Sequence, residues 1–361
     1  MKAYHCDGCG SLVFFDNVSC LTCHHALGFL PASGELRALE PAGEGVWRPV
    51  ASGTNGPLHR KCANAEQHQV CNWMTPVDDP NPFCVSCRLN EVIPNLEAPG
   101  NLERWRRLEM AKRRIVYTIL QLGLPMDAVA AEKRPALRFK FLGEAPGQPP
   151  VLTGHAQGLI TVNIAEADDD ERERRRVNLH EPYRTLLGHL RHEVAHYYWD
   201  RLIANSAWLE RWRAVFGDEN KNYAEALKTH YEQGPPADWP SHFVSAYAAS
   251  HPWEDWAETW AHYFHIIDTL ETAASFGMSL KPRHPAAPTM TSDPRLAAKS
   301  DASFDLLLEQ WFPIVYALNA LNRGMGLHDL YPFALSSPAI AKLRFAHEVA
   351  QTARRGGFVT A

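Results

Sequence analysis

The sequence predicts an α+β protein: a small cysteine-rich module, then a larger domain with a small sheet and a mostly helical C-terminal half. Three observations carry this reading. All eight cysteines lie between Cys6 and Cys87. Two short segments, Leu137 to Phe141 and Leu159 to Ile164, alternate or are β-branched, as strands do. From about Pro182 onward the chain reads almost entirely as helix. The end of the cysteines and the loose stretch Pro94 to Asn101 place a boundary near residue 98, giving domains 1–98 and 99–361.

Composition narrows the classes. The chain has 361 residues, 45% hydrophobic and 21% charged, which suffices for a sizeable core. The formal net charge is −5. The first hundred residues carry six Lys/Arg against ten Asp/Glu, the opposite sign to a nucleic-acid grip. No stretch reaches about 18 apolar residues, so no membrane span is expected. Met1 to His5 runs into Cys6 without a signal-type apolar stretch, and a cytoplasmic protein is expected. Thiols stay reduced there, which favours metal over disulfide.

The cysteines fall into two sets. Cys6-x₂-Cys9 and Cys20-x₂-Cys23 are two knuckles, each turning a pair of thiolates toward one ion. The second set is Cys62, Cys71, Cys84 and Cys87, with one tidy knuckle, and His24, His25, His59 or His68 could replace a thiolate. Closed Cys₄ sites leave no open position, so two structural zincs are expected, holding together a segment with little core. Iron is the rival occupant.

After the module, Leu102, Trp105, Leu108, Ile115, Ile119 and Leu122 recur at helical spacing, and Gly123 and Pro125 end that helix. Its basic residues Arg104, Arg106, Arg107, Lys112, Arg113 and Arg114 read as a solvated face. Asp168 to Arg176 reads as a solvated loop or helix start. Near the end, Ser337 followed by Pro338 reads as an N-cap with proline in the first turn.

His192-Glu193-Val194-Ala195-His196 lies in a helical run from about Pro182 to Ile203. Residues four apart share a helix face, so both imidazoles meet one spot and could grip a zinc. Glu193, one residue along, would act as general base on a water activated by that zinc. Asp200, four residues past His196, should miss the metal. His189, one turn before His192, could orient Glu193, bind substrate, or be a plain helix-face residue. A third ligand should come from a second helix. Glu254 and Asp255 follow Pro252 and read as first-turn acids favoured by the helix dipole. Glu258 lies past that turn among tryptophans, where an unpaired charge is costly, and is the third-ligand candidate, with His262 as runner-up. Tyr247 could donate a hydrogen bond to the oxyanion.

His189 to Trp199, Ser245 to Ala248, Glu254 to Tyr263, Tyr316 to Arg323 and Asp329 to Phe333 resemble a bacterial family described as "putative" zinc-binding metallopeptidases with an N-terminal zinc ribbon. The resemblance covers nearly the whole chain. It implies a zincin-like fold, an edge strand that binds extended substrate at Leu159 to Ile164, and a gluzincin-like third ligand at Glu258 in Ala257-Glu258. No further histidine stands at the metzincin spacing after His196.

The leading expectation is a zinc metallopeptidase acting on protein or peptide, with one catalytic and two structural Zn²⁺. The alternative is a non-catalytic adaptor whose ribbons dock a protein partner; a retained Glu193 argues against it. A protease acting on DNA-bound protein is the third reading, and the acidic N-terminal module argues against that.

Overall fold

The computed structural model describes residues 2–128, 134–144, 147, 149–178, 184–282, 290–297 and 301–356. They form two compact units. One comprises Met1–Gln121, Leu137–Gly154 and Leu159–Arg172; the other comprises Leu122–Ala136, His155–Gly158 and Glu173–Ala361.

In the first unit, strands β1 (Tyr4–His5) and β2 (Leu12–Val13) pair antiparallel around the first knuckle. Strands β3 (Ala26–Leu30), β4 (Glu35–Gly43), β5 (Val46–Pro49), β6 (His59–Lys61) and β7 (Met74–Pro76) form an antiparallel meander, with the short helix α1 (Ala63–His68) between the last two. Sequence reasoning gave this segment little core. The structure gives it one: Phe15, Phe29 and Trp73 are buried with Tyr117, at ring-centroid distances of 5.1 Å (Phe15–Phe29), 4.7 Å (Phe29–Trp73) and 5.4 Å (Phe15–Tyr117). Such aromatic contacts add to the burial itself.

Strands β8 (Asn90–Val92) and β9 (Arg138–Leu142) are parallel, which requires a crossover, and helix α2 (Asn101–Leu122) supplies it. With β10 (Gly154–Ala156) and β11 (Leu159–Asn163) they form a sheet of order β10-β11-β9-β8. This corrects one expectation. The segment Leu159 to Ile164 is not the edge, because β10 folds back on it through Gln157 and Gly158, both with positive φ, 49° and 80°. A two-residue loop of that geometry makes a tight hairpin. The basic face of α2 is also corrected in part. Lys112 and Arg113 are buried: Lys112 Nζ lies 2.8 Å from Glu109 Oε1, and Arg113 donates to the Val70 carbonyl. Arg104, Arg106 and Arg107 do lie at the surface, paired with Asp168 and Glu103.

Helix α3 (Asp169–Asn178) opens with Asp169, Asp170 and Glu171, where the helix dipole favours acids. Pro182 lies outside the described residues. Helix α4 (Leu186–Tyr198) starts at Thr185, whose side chain accepts from the Gly188 N–H, and it runs on into a π-helical turn over Trp199–Ile203. Helices α5 (Leu209–Phe216), α6 (Tyr223–Gln233), α7 (Pro252–Ser275), α8 (Phe304–Gly324) and α9 (Ser337–Arg354) follow. Helix α7 is the centre of the second unit and packs on α4, α8 and α9. Its large aromatic residues Trp256, Trp260, Tyr263 and Phe264 are fully buried. The N-cap of α9 is Ser336, one residue before the expected Ser337, with Pro338 in the first turn. Among the described residues no helix is long and apolar enough to cross a membrane.

Candidate metal centres and active site

The two cysteine sets assemble as spaced. Cys6, Cys9, Cys20 and Cys23 converge, as do Cys62, Cys71, Cys84 and Cys87, with each set's sulfurs within 4.8 Å of one another. Sγ–Sγ distances of 3.5 Å (Cys6–Cys23), 3.6 Å (Cys9–Cys20) and 3.8 Å (Cys71–Cys84) match the edge of a tetrahedron with Zn–S bonds of 2.3 Å, about 3.8 Å. None of the eight is in a disulfide. Backbone N–H groups of Trp73, Cys84 and Cys87 donate to the sulfurs of Cys71, Cys62 and Cys84, each at 3.4 Å. Such donors stabilise thiolate charge in a buried site. Both groups consist of cysteines alone. Of the histidines considered as substitutes, His25 only approaches the Cys23 sulfur, at 3.2 Å, and His68 packs on Trp105.

The third group lies where α4 crosses α7. Helix periodicity puts His192 and His196 on one face of α4, and their Nε2 atoms are 3.2 Å apart. Glu254 Oε2 lies 3.0 Å from His192 Nε2 and 3.6 Å from His196 Nε2. That oxygen is buried and makes no hydrogen bond among the described residues. The three ligand atoms thus converge on one point, with His192 Nε2 close to both of the others. The edges of a tetrahedron with 2.0–2.1 Å bonds would be about 3.4 Å, so the trio fits a zinc ion. Electrostatics agree. Burial pushes the Glu254 carboxyl up, but the two imidazoles outweigh it and hold it well below the carboxylate range. Burial pushes His192 down, and Glu254 and Glu258 reverse this, holding it well above the ordinary histidine value. The carboxylates of Glu254 and Glu258 favour positive charge at this point.

Glu258, expected as the third ligand, is placed behind His192 instead. Its Oε1 is 2.8 Å from His192 Nδ1 and its Oε2 accepts from Ser245 Oγ at 2.7 Å. A carboxylate on the far nitrogen of a ligating histidine fixes ring and tautomer. Sequence reasoning missed Glu254 because a first-turn acid has a sufficient local explanation. The available signal was the i, i+4 pair Glu254/Glu258, which presents two carboxylates to one neighbour. His262, the runner-up, lies elsewhere: its Nδ1 meets the Tyr331 hydroxyl at 2.5 Å.

The remaining expected residues surround the trio. Glu193 Oε1 is 3.3 Å from His189 Nε2, while Oε2 is buried without a hydrogen-bond partner among the described residues. Burial raises the Glu193 carboxyl, but the His189 bond and the neighbouring imidazoles prevail and hold it ionised. The Tyr247 ring lies 5.9 Å from that of His192, and burial keeps its phenol protonated. Asp200 stands clear of the trio, beside His155 at 3.9 Å, and burial raises its carboxyl to about 6. Two further groups had no sequence signal. The Trp253 ring lies tilted against His196, with ring centroids 3.7 Å apart, and the Tyr223 hydroxyl donates to Glu254 Oε1 at 2.7 Å.

Comparison with known proteins agrees with this chemistry. The family described as "Putative zinc-binding metallo-peptidase" matches residues 101–349, and a zinc-ribbon domain matches residues 3–98. Relatives from Mycobacterium tuberculosis and Mycobacterium bovis are 41% identical over 350 residues, covering 97% of this chain and 95% of theirs; both are described as uncharacterized proteins. No solved structure matches. Matched over residues 101–349, and 41% identical to these relatives over nearly its whole length, the chain belongs to the family described as "Putative zinc-binding metallo-peptidase".

Proposed function

We propose that the protein is a peptidase whose catalytic zinc is held by His192, His196 and Glu254, with two structural zincs in the cysteine sets. The observation that carries this is the convergence of three ligand atoms on a buried point, next to the Glu193 carboxylate, whose Oε2 has no hydrogen-bond partner among the described residues. Zinc bound there would polarise the scissile carbonyl and acidify a water. The chain's own residues do the rest. Glu193 Oε2 takes the proton of the attacking water and delivers it to the departing amine. His189 holds the other oxygen and keeps the base ionised. Glu258, itself held by Ser245, orients His192. The Tyr247 hydroxyl, close to His192, donates to the oxyanion. Cysteines outside any disulfide and a formal net charge of −5 favour action on protein or peptide in the cytoplasm, not on nucleic acid.

The test is cleavage of a mixed fluorogenic peptide library by zinc-loaded wild type and Glu193→Gln. The substitution keeps size and removes the base. Loss of cleavage by at least about 10²-fold, with zinc content unchanged, is expected. Equal cleavage by both proteins would refute the mechanism. No cleavage by wild type, with zinc present, would favour a ribbon-docked adaptor.

A further inference from the structure

The candidate active site is closed in this structure: His192, Glu193 and His196 are 8%, 5% and 3% exposed. A peptide cannot reach such a centre unless something moves, so what covers it matters. Helix α6 has no buried residue of its own, although it lies between well-packed helices in the chain. A helix with no buried face gains little from packing and docks weakly. It touches the centre at two points on one face, two turns apart. At its first residue, Tyr223 donates to Glu254 Oε1 and sets its ring edge against Trp253 and His251, at 5.9 Å and 5.3 Å. At His230 the ring meets that of Tyr247 at 5.8 Å, the same tyrosine that lies beside His192. Gly217 and Gly234 bracket the segment with φ of 104° and 78°, conformations glycine adopts without strain. Nothing lies within 4 Å of where a Cβ would stand on Gly234.

We propose that residues 218–233 form a hinged cover over the His192/His196/Glu254 centre, and that Tyr223 is its latch. Closed, the latch turns Glu254 Oε2 toward the two imidazoles, so Tyr223 is a positioning residue for the metal site. Open, the departure of Tyr223 and His230 uncovers Trp253, Tyr247 and the centre and admits an extended peptide. This rests on the proposed function for the identity of the centre, but the latch bond itself joins two side chains and needs no metal.

Two readouts on the full-length protein test it, comparing wild type with Tyr223→Phe, which keeps the ring and removes the hydroxyl. The first is amide hydrogen exchange across residues 218–233, with α4 and α7 as internal references. The second is zinc affinity of the weakest site, by competition with a chromophoric chelator. Faster exchange confined to 218–233, together with zinc binding weakened by about 10- to 100-fold, is expected. Unchanged exchange in 218–233 overturns the cover, whatever happens to zinc. Faster exchange with wild-type zinc affinity overturns the positioning role of Tyr223. Failure of the proposed function itself reads differently: His192→Ala would then titrate zinc like wild type.

Discussion

Glu254 and Glu258 are one helical turn apart, yet the structure gives them opposite sides of the same imidazole. Glu254 faces His192 Nε2 and Glu258 faces Nδ1. If Glu254 is the ligand, Glu254→Ala leaves the site with two protein ligands and empties it. Glu258→Ala removes only the orienting carboxylate and weakens zinc by about 10- to 100-fold. Zinc titration of both variants checks this, and the reverse order would return the ligand role to Glu258. Helical spacing made both residues legible in the sequence as sharing a face. It could not tell which of two neighbouring turns meets Nε2, because that depends on how far α7 slides along α4. His262 supplies a pH prediction at this scale. Burial lowers it from 6.5 to about 4, with the Glu258 charge opposing. Below pH 6.5 the unfolded chain takes up a proton that folded His262 refuses, so stability falls as pH drops and levels off near pH 4. The full effect is on the order of 3 kcal/mol. Denaturant unfolding at pH 7.5 and pH 5 should show a larger loss for wild type than for His262→Gln. An equal loss in both would mean His262 is not held neutral.

The two zinc ribbon knuckle sets differ as elements. In the first, Cys9 is exposed and Cys23 half-buried, on the short hairpin β1–β2 and the turn after it; in the second, all four cysteines are buried under the meander and α2. A chelator must approach the sulfurs, so the first set should surrender its metal before the second. Stripping followed with Cys9→Ser and Cys62→Ser variants assigns the phases, and loss from the buried set first would contradict the description. Element legibility follows from periodicity. Helices α2 and α7 and strands β9 and β11 lie where their apolar repeats put them, and α9 starts beside the Pro338 that marked it. The meander β3–β7 was not read. Pro41, Pro49 and Pro76 stand in its strands, β6 carries His59, Arg60 and Lys61, and such residues mute the strand signal. Its core also draws Tyr117 from α2, a partner that no local pattern announces.

At the scale of the whole molecule, the chain carries three candidate metal groups, two of cysteines alone and one of His192, His196 and Glu254, and the proposed function gives the first two to folding and the third to chemistry. The cysteines were legible because ligand spacing in a knuckle is local. The His192/His196 half of the candidate site was legible for the same reason, whereas Glu254, Tyr223 and Trp253 arrive from chain 27 to 62 residues away from the histidines. The family is settled by similarity over nearly the full length, and its relatives carry no described activity, so the decisive quantity is metal per chain. Zinc content should be measured on purified wild type and His192→Ala. About three zincs per chain falling to about two establishes a separate centre on α4 and α7 beside two cysteine sites. About two zincs in both proteins would contradict the central claim that His192, His196 and Glu254 form a metal site.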